Sequence, residues 1–226
     1  MSRIVITALV LLASACATGP KPELQHSPDL TTAMLIYTPN YGEIRLRRVD
    51  LSERQVLDGG EVLPAISDDD IHLIRFSSNP LLQDESLKKA QADLNWNVSP
   101  DSEIVFAQQR LAPGDYAIVS YKERKITYSY NAYGTICFRE EAPVLRVAAG
   151  AIYYMDSINT MTERTSTSRE AAGTSAELIQ ALLLQKPMVQ GEVEPLDVVE
   201  FISFDPPSGI FQKGCSIGRT FSEAAD

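Results

Sequence analysis

The stretch "EIVFAQQRLAPGDYAIVSY", residues 103–121, carries the clearest structural signal in the chain. Two runs rich in β-branched and aromatic residues, 103–111 and 115–121, are separated by Ala-Pro-Gly, which is a turn signal. In the second run apolar residues fall on both faces of an extended chain, which is typical of a strand at the centre of a sheet. The stretch therefore predicts a β-protein with at least one strand buried on both sides.

The chain before this stretch contains two further turn signals. The four residues "PNYG", 39–42, lie between the apolar runs "AMLIYT" and "EIRLRRV" and predict a hairpin loop. A second turn is predicted at Asp58, Gly59 and Gly60, inside "VLDGGEVL".

The chain after it continues in the same way. The runs "ITYSY" and "TICF" predict a strand pair that is broken at "NAYG", 131–134, and "VLRVAAGAIYYMDSI", 144–158, predicts two strands with a bend at Ala149 and Gly150. Many short strands separated by Gly and Pro turns favour a mainly β protein, an antiparallel β-sandwich, over alternating helix and strand units.

One helix is predicted over about 174–185, "TSAELIQALLLQ". Thr174 and Glu177 have the spacing of a capping box, and Pro187 follows the end of the helix. The apolar face that we expect to pack on the sheet is formed by Leu178, Ala181 and Leu182. A helix that binds a partner or lies on a membrane is the alternative, although the polar side lacks the basic residues of an interfacial helix. The run "VVEFISF", 198–204, predicts a returning strand.

Two polar stretches interrupt the strand pattern. Residues 79–101 contain one weak helix signal around 86–93 and the single tryptophan, Trp96, which we expect to cap an edge of the core; an anchor for a partner is the alternative. Residues 159–173 are rich in Ser and Thr and predict a loop. We therefore expect a single β-sandwich domain over 33–226 with insertions near 79–101 and 159–173.

The N-terminus has the form of an export signal. Arg3 precedes about ten apolar residues, too few to cross a bilayer, so residues 1–15 are interpreted as a signal peptide. The small residues before Cys16 resemble the bacterial lipoprotein signal, although Ala13 stands where that family favours Leu. The resemblance implies cleavage before Cys16, a diacylglycerol thioether on its sulfur and acylation of its amino group. Ordinary secretory cleavage with an incidental Cys16 is the alternative.

The residue after the cysteine bears on location. Ala17 stands where lipoproteins of the inner membrane often carry Asp, so the resemblance implies an outer-membrane anchor facing the periplasm, with the inner membrane or the cell surface as alternatives. Residues 16–32 contain three prolines and few apolar side chains, which predicts a flexible, extended tether. His26 is expected to be a solvated residue of this tether.

Charge and cysteine content indicate which partners and which covalent link the chain is expected to have. The chain has a formal charge of −10, and without residues 1–15 it keeps 19 basic and 30 acidic residues. This excess argues against nucleic acid as a partner, and against anionic lipid held by unspecific attraction. Export to an oxidising compartment predicts a disulfide between Cys137 and Cys215, with two separate buried thiols as the alternative.

A search for catalytic motifs finds two weak candidates. "GCSIG", 214–218, matches a hydrolase elbow around Ser216, but no histidine follows it, so we interpret the match as coincidence. Asp70 and His72 would share one face of a strand and could form a metal site or a base, although a solvated turn is the simpler interpretation. No spacing in the sequence indicates a cofactor or a metal.

Tyrosines form the remaining candidate surface. Tyr128 and Tyr130 alternate on one predicted strand face and Tyr133 follows in the predicted turn, while Tyr153 and Tyr154 lie on opposite faces of another strand. An aromatic ring with a polar hydroxyl suits sugar stacking or a protein interface, and it equally suits the solvent-exposed edge of a hydrophobic core.

A second resemblance concerns residues 102–158. "LAPGDYAIV", "ICF" and "VLRVAAGAIYYMDSI" are similar to small periplasmic lipoprotein domains that are thought to be transthyretin-like or carboxypeptidase-regulatory-like β-sandwiches. This resemblance implies a sandwich and brings no catalytic residues.

The functional expectation follows from the anchor and from the absence of a convergent catalytic set. We expect a non-catalytic scaffold or binding module of the bacterial envelope, with the bilayer, through acylated Cys16, and an envelope protein or glycan as partners. The alternative is a carboxylate-dependent hydrolase or a glycan- or peptidoglycan-binding protein, because paired carboxylates need no fixed spacing in sequence.

Overall fold

The computed structural model describes residues 21–38, 42–63, 71–94, 96, 98–126, 131–155, 166–207 and 215–224. The predicted signal peptide and Cys16 lie outside these residues. In chain order the strands are β1 (Ala33–Tyr37), β2 (Glu43–Asp50), β3 (Gln55–Leu63), β4 (His72–Ser77), β5 (Glu103–Leu111), β6 (Gly114–Ile126), β7 (Asn131–Cys137), β8 (Ala142–Val147), β9 (Ile152–Met155), β10 (Val193–Pro195), β11 (Val198–Phe204) and β12 (Phe221–Glu223). The helices are α1 (Asn79–Gln83), α2 (Glu85–Asp93) and α3 (Ser166–Leu183).

The strands form two sheets. Sheet A has the order β10-β9-β1-β5-β4; its β1–β9 and β9–β10 pairs are parallel and the others are antiparallel. Sheet B has the order β12-β11-β8-β6-β2-β3, with β7 paired to β6 beyond the end of β8, and all of its pairs are antiparallel. The predicted mainly β sandwich is confirmed.

The sandwich core lies between the two sheets. Alternate residues of the central strands point into it, including Leu35 from β1, Leu46 from β2 and Ile118 from β6. In β6, Tyr116 and Ile118 face this core while Ala117 and Val119 are buried on the other side of sheet B. The prediction of a strand buried on both faces is confirmed for this part of β6.

The turn at 112–114 connects the two sheets. β5 belongs to sheet A and β6 to sheet B, so the chain crosses the sandwich here. The buried hydroxyl of Tyr116 donates to the carbonyl of Ala112 at 2.8 Å and holds the crossing, and burial raises the pKa of Tyr116.

The hairpin predicted at 39–42 is wrong, because β1 pairs in sheet A and β2 pairs in sheet B. A turn signal does not reveal whether the chain returns to the same sheet.

Two other predicted turns differ from the structure. Asp58, Gly59 and Gly60 lie inside β3, where the register with β2 shifts between Arg47 and Val49, so the glycines mark a bulge. The predicted break at 131–134 lies within β7, and the connection from β6 falls at 127–130, outside the described residues. The bend at Ala149 and Gly150 is confirmed, with a φ of 72° at Gly150.

The helices agree with the predicted pattern in part. α2 matches the signal around 86–93, and the carboxylate of Asp84 caps it by accepting from the backbone N–H groups of Ser86 and Leu87. α3 begins eight residues before the predicted start. Thr174 donates to the carbonyl of Glu170 within this helix, so the predicted capping box is wrong and residues 166–173 are not loop.

The helices cover the outer face of sheet A, as predicted for the apolar face of α3. Trp96 also lies at the edge of this layer, its ring centroid 6.0 Å from that of Phe106, which confirms its place at the border of the core. The buried side chains between the sheet and the helices include Ile36, Phe76, Phe106, Tyr154, Leu178, Ile179 and Leu182.

The N-terminal segment 21–32 packs on the body instead of extending into solvent. His26 is only 3% exposed, its backbone N–H donates to the carbonyl of Met188 at 3.0 Å, and its Nε2 lies 3.1 Å from the carbonyl oxygen of Gly150. Leu24 packs against the apolar layer under the helices. The predicted flexible tether is therefore wrong for residues 21–32, because neighbouring loops satisfy its backbone groups.

Candidate binding cleft

A cleft of about 1140 Å³ opens on the outer face of sheet B. Its floor comes from β2, β3, β6 and β7, and its wall is the segment 215–220. Since Ile44 and Leu46 of β2 point into the sandwich core, the alternating Arg45 and Arg47 point outward into the cleft.

The wall is tied to the sheet at several points. The disulfide between Cys137 and Cys215, which the sequence predicted, joins its start to β7. The N–H of Val56 in β3 donates to the carbonyl of Arg219 at 2.8 Å. Gly218 donates to the carbonyl of Asp205, and a Cβ at this glycine would lie 2.4 Å from that oxygen, so the close approach requires glycine.

An apolar cluster supports the wall from behind. It lies on the outer face of sheet B beside the cleft, and Ile217 of the wall packs against it. The wall therefore rests on buried side chains. The members of the cluster are Val49, Ala117, Val119, Ala142, Val144, Ile202, Phe204 and Phe221.

The charge of the cleft is opposite to that of the chain. Four exposed cations line it: Arg45, Arg47, Lys122 and Arg219. The described lining residues also include two carboxylates, Glu43 and Asp58, so cations outnumber anions in the cleft. The chain as a whole has a formal charge of −10. Because arginine forks match carboxylate and phosphate groups, this excess of positive charge suits an anionic ligand.

Local contacts set the positions of the arginines. The Nε of Arg45 donates to Glu43 at 2.6 Å. The side chain of Arg47 runs along β3, where its Nη1 donates to the carbonyl of Gly59 at 3.5 Å and a Cβ at Gly60 would lie 3.0 Å from its Cδ. Gly60, one of the two glycines that predicted a turn, thus gives Arg47 room to lie beside the strand.

The connection between β2 and β3 forms a rim near the wall. The carboxylate of Asp50 accepts from the hydroxyl of Ser52 and from two backbone N–H groups, and these bonds, that of the hydroxyl above all, lower the pKa of Asp50. The turn places Arg54, which has a φ of 54°, in an ion pair with Glu200 of β11, and its guanidinium lies 5.9 Å from the ring centroid of Phe221.

The side chains of the predicted tyrosine binding surface fall outside the described residues. Tyr128 and Tyr130 fall outside the described residues, and Tyr133 lies on β7 opposite Arg124, with its side chain outside them too. This surface stays a prediction. Tyr153 packs in the sandwich core and Tyr154 in the layer under the helices, as expected for residues on opposite faces of one strand.

The other candidates that the structure describes, His72 and Ser216, belong to different parts of the fold. His72 begins β4 and its Nδ1 lies 2.8 Å from the carbonyl oxygen of Pro22, while Asp70 is outside the described residues. Ser216 lies in the cleft wall beside the disulfide, and the described residues that follow it, 217–220, do not form the helix of a hydrolase elbow. Within the described parts of the chain, no three His, Cys, Asp or Glu residues come close enough to hold a metal ion.

None of the helices that the structure describes combines the length and the hydropathy needed to cross a bilayer.

No protein-family model, curated protein or solved structure matches the chain.

The sequence analysis did not predict the cationic cluster, although the alternation of Arg45 and Arg47 in "EIRLRRV" is visible in the sequence. Lys122 and Arg219 join them only through the pairing of β2 with β6 and of the wall with β3.

Proposed function

We propose that the protein is an outer-membrane lipoprotein, anchored through acylated Cys16 and facing the periplasm, whose body is a non-catalytic binding module. Its ligand carries carboxylate or phosphate groups and occupies the cleft on sheet B. The observation that carries this proposal is the excess of cations, Arg45, Arg47, Lys122 and Arg219, in one cleft of an acidic chain.

The anchor part of the proposal is supported by the N-terminal sequence. A short apolar run and small residues end on Cys16, where lipid attachment needs a thiol. One acyl chain gives only reversible binding, whereas three chains give an anchor that does not leave the bilayer.

Binding is favoured over the alternative, carboxylate-dependent hydrolysis, by the contacts of the acidic residues. A hydrolase of this kind needs two carboxyl groups facing each other across the substrate. Glu43 is engaged by Arg45, and the one other carboxylate among the described lining residues is Asp58. Those lining residues also include no aromatic ring on which a sugar could stack, so an anionic group suits the cleft better than a neutral glycan.

The binding proposal is tested by titrating the mature lipoprotein in detergent with two probes, a penta-glutamate peptide and inorganic phosphate. The variant Arg47→Glu with Arg219→Glu should bind the preferred probe at least about tenfold more weakly, since charge-assisted hydrogen bonds are lost. Added salt should weaken binding by the wild type. Comparing the two probes shows whether carboxylate or phosphate is preferred.

The matched control has the same net charge. Lys88→Glu with Lys89→Glu places the two reversals on α2, away from the cleft, and should leave probe binding unchanged. Equal losses in both double variants, or no binding of either probe to the wild type, would refute the cleft as the binding site.

The anchor is tested separately. Cys16→Ser should abolish labelling by radioactive fatty acid and leave the precursor unprocessed. Normal maturation of this variant would remove the lipoprotein assignment without affecting the titration result.

A further inference from the structure

The connection that follows α3 exposes two large apolar side chains. Leu184 is 83% exposed and Met188 is 57% exposed, whereas the other exposed large apolar residues among the described ones range from 39% to 48%. The two flank Gln185, Lys186 and Pro187 on one short connection to β10. We call residues 184–188 the apolar connection.

The charge around the apolar connection differs from that of the rest of the chain. Residues 178–191 contain no acidic residue, although the chain has 30, and Lys186 is the one charged residue among them. The carboxylate of Glu23, which lies against the connection, is paired with Lys186, so this pair adds no net charge opposite the phosphates of lipid headgroups.

The apolar connection also lies beside the point where the packed chain begins. Lys186 pairs with Glu23 at 2.6 Å, and the carbonyl of Met188 accepts from His26 at 3.0 Å. Residue 21 is already bridged to His72, and it follows Cys16 by five positions. Five residues reach at most about 17 Å, so an anchor on Cys16 holds this side of the molecule close to the lipid.

We infer that the apolar connection docks on the bilayer that carries the anchor, with Leu184 and Met188 in the headgroup and acyl-chain boundary. This inference rests on the proposed lipidation of Cys16. Its consequence is an orientation: α3 lies outside sheet A and the cleft outside sheet B, so the bilayer contact and the cleft are on opposite sides of the sandwich. The ligand site then opens away from the membrane, beyond both sheets.

The inference is tested with the mature lipoprotein in phosphatidylcholine vesicles whose acyl chains carry bromine, a quencher of tryptophan fluorescence. Leu184→Trp and the control Val199→Trp, an exposed position on β11 of sheet B, are each made with Trp96→Phe. Emission from Leu184→Trp should fall about twofold relative to vesicles without bromine, since an interfacial side chain reaches the acyl chains. Emission from Val199→Trp should not change.

The outcomes separate the two proposals. Mass spectrometry of the same samples reports the acyl chains on Cys16, and their absence would overturn the proposed anchor and with it the docking. Acylated protein in which both tryptophans are quenched equally, or neither is, would overturn the docking alone. If Trp96→Phe does not fold, the same comparison is made with Trp96 retained and the wild-type emission as baseline.

Discussion

The two outer faces of the sandwich are covered in opposite ways. The outer face of sheet A lies under three helices and the segment 21–32, and the layer between is apolar. The outer face of sheet B is covered in part by the segment around 215–221, and beside this segment lies a cationic cleft. One core thus supports a face that adds stability and a face that presents charge.

The difference is visible strand by strand. All five residues of β1, "AMLIY", are buried because both of its faces are covered. In β2, "EIRLRRV", Ile44 and Leu46 are buried while Arg45 and Arg47 between them are exposed. The comparison of these two strands teaches that alternation marks a strand with one face toward the cleft, and that a continuous apolar run marks a strand covered on both faces.

Removing the disulfide should change the open face most. Cys137→Ser with Cys215→Ser opens a link between residues 78 apart, and the chain-entropy model assigns such a link about 4 kcal/mol of unfolding free energy. Urea unfolding measures this loss, and reduced wild-type protein serves as the control. Because the link holds the cleft wall, binding of the anionic probe should also weaken. An unchanged affinity would show that the wall keeps its place through its backbone bonds alone.

A cavity on the covered face should affect stability and not binding. Leu182 is fully buried between α3 and sheet A, so Leu182→Ala should lower the unfolding free energy by about 3 kcal/mol. The affinity for the anionic probe should stay the same. Leu57→Ala, at a partly exposed position in the cleft, is the matched change on the other face and should cost less than about 0.5 kcal/mol. Similar losses in both variants would contradict the division between the two faces.

Two glycines on the covered face should respond with opposite signs. Gly150 has a φ of 72° and a Cβ there would lie 2.0 Å from the carbonyl oxygen of Pro28, so Gly150→Ala should cost about 2 kcal/mol and loosen the segment 21–32. Gly173 lies in α3 with open space around it, so Gly173→Ala should stabilise by about 0.5 to 1 kcal/mol. Thermal unfolding of both variants measures the shifts. Stabilisation by Gly150→Ala would mean that the segment does not pack on this glycine.

Local patterns predicted the elements of the structure better than their connections. The signals for α2, for the strand "VVEFISF" and for the bend at Gly150 were correct, because each depends on neighbouring residues. The hairpin predicted at 39–42 was wrong, because the same residues can return a strand to its own sheet or pass it to the opposite one. The segment 21–32 has few apolar residues, so nothing in its composition revealed that the connection after α3 would bond to it.

The residues of the candidate site also differ in whether local sequence patterns reveal them. The outward pair Arg45 and Arg47 and the cysteines of the disulfide are readable as sequence, because alternation and an exported compartment predict them. Lys122 and Arg219 lie 75 or more residues away from Arg47, and only strand pairing brings them to one cleft.

The sequence by itself determined that the chain is built of strands, that residues 115–119 form a strand buried on both sides, and that one helix packs through an apolar face. Hydrophobic periodicity acts within a few residues and decides which side chains must leave water. The tertiary structure alone decided which strands share a sheet, where the N-terminal segment packs and which cations meet. Those choices depend on contacts between distant parts of the chain, whose energies no local pattern contains.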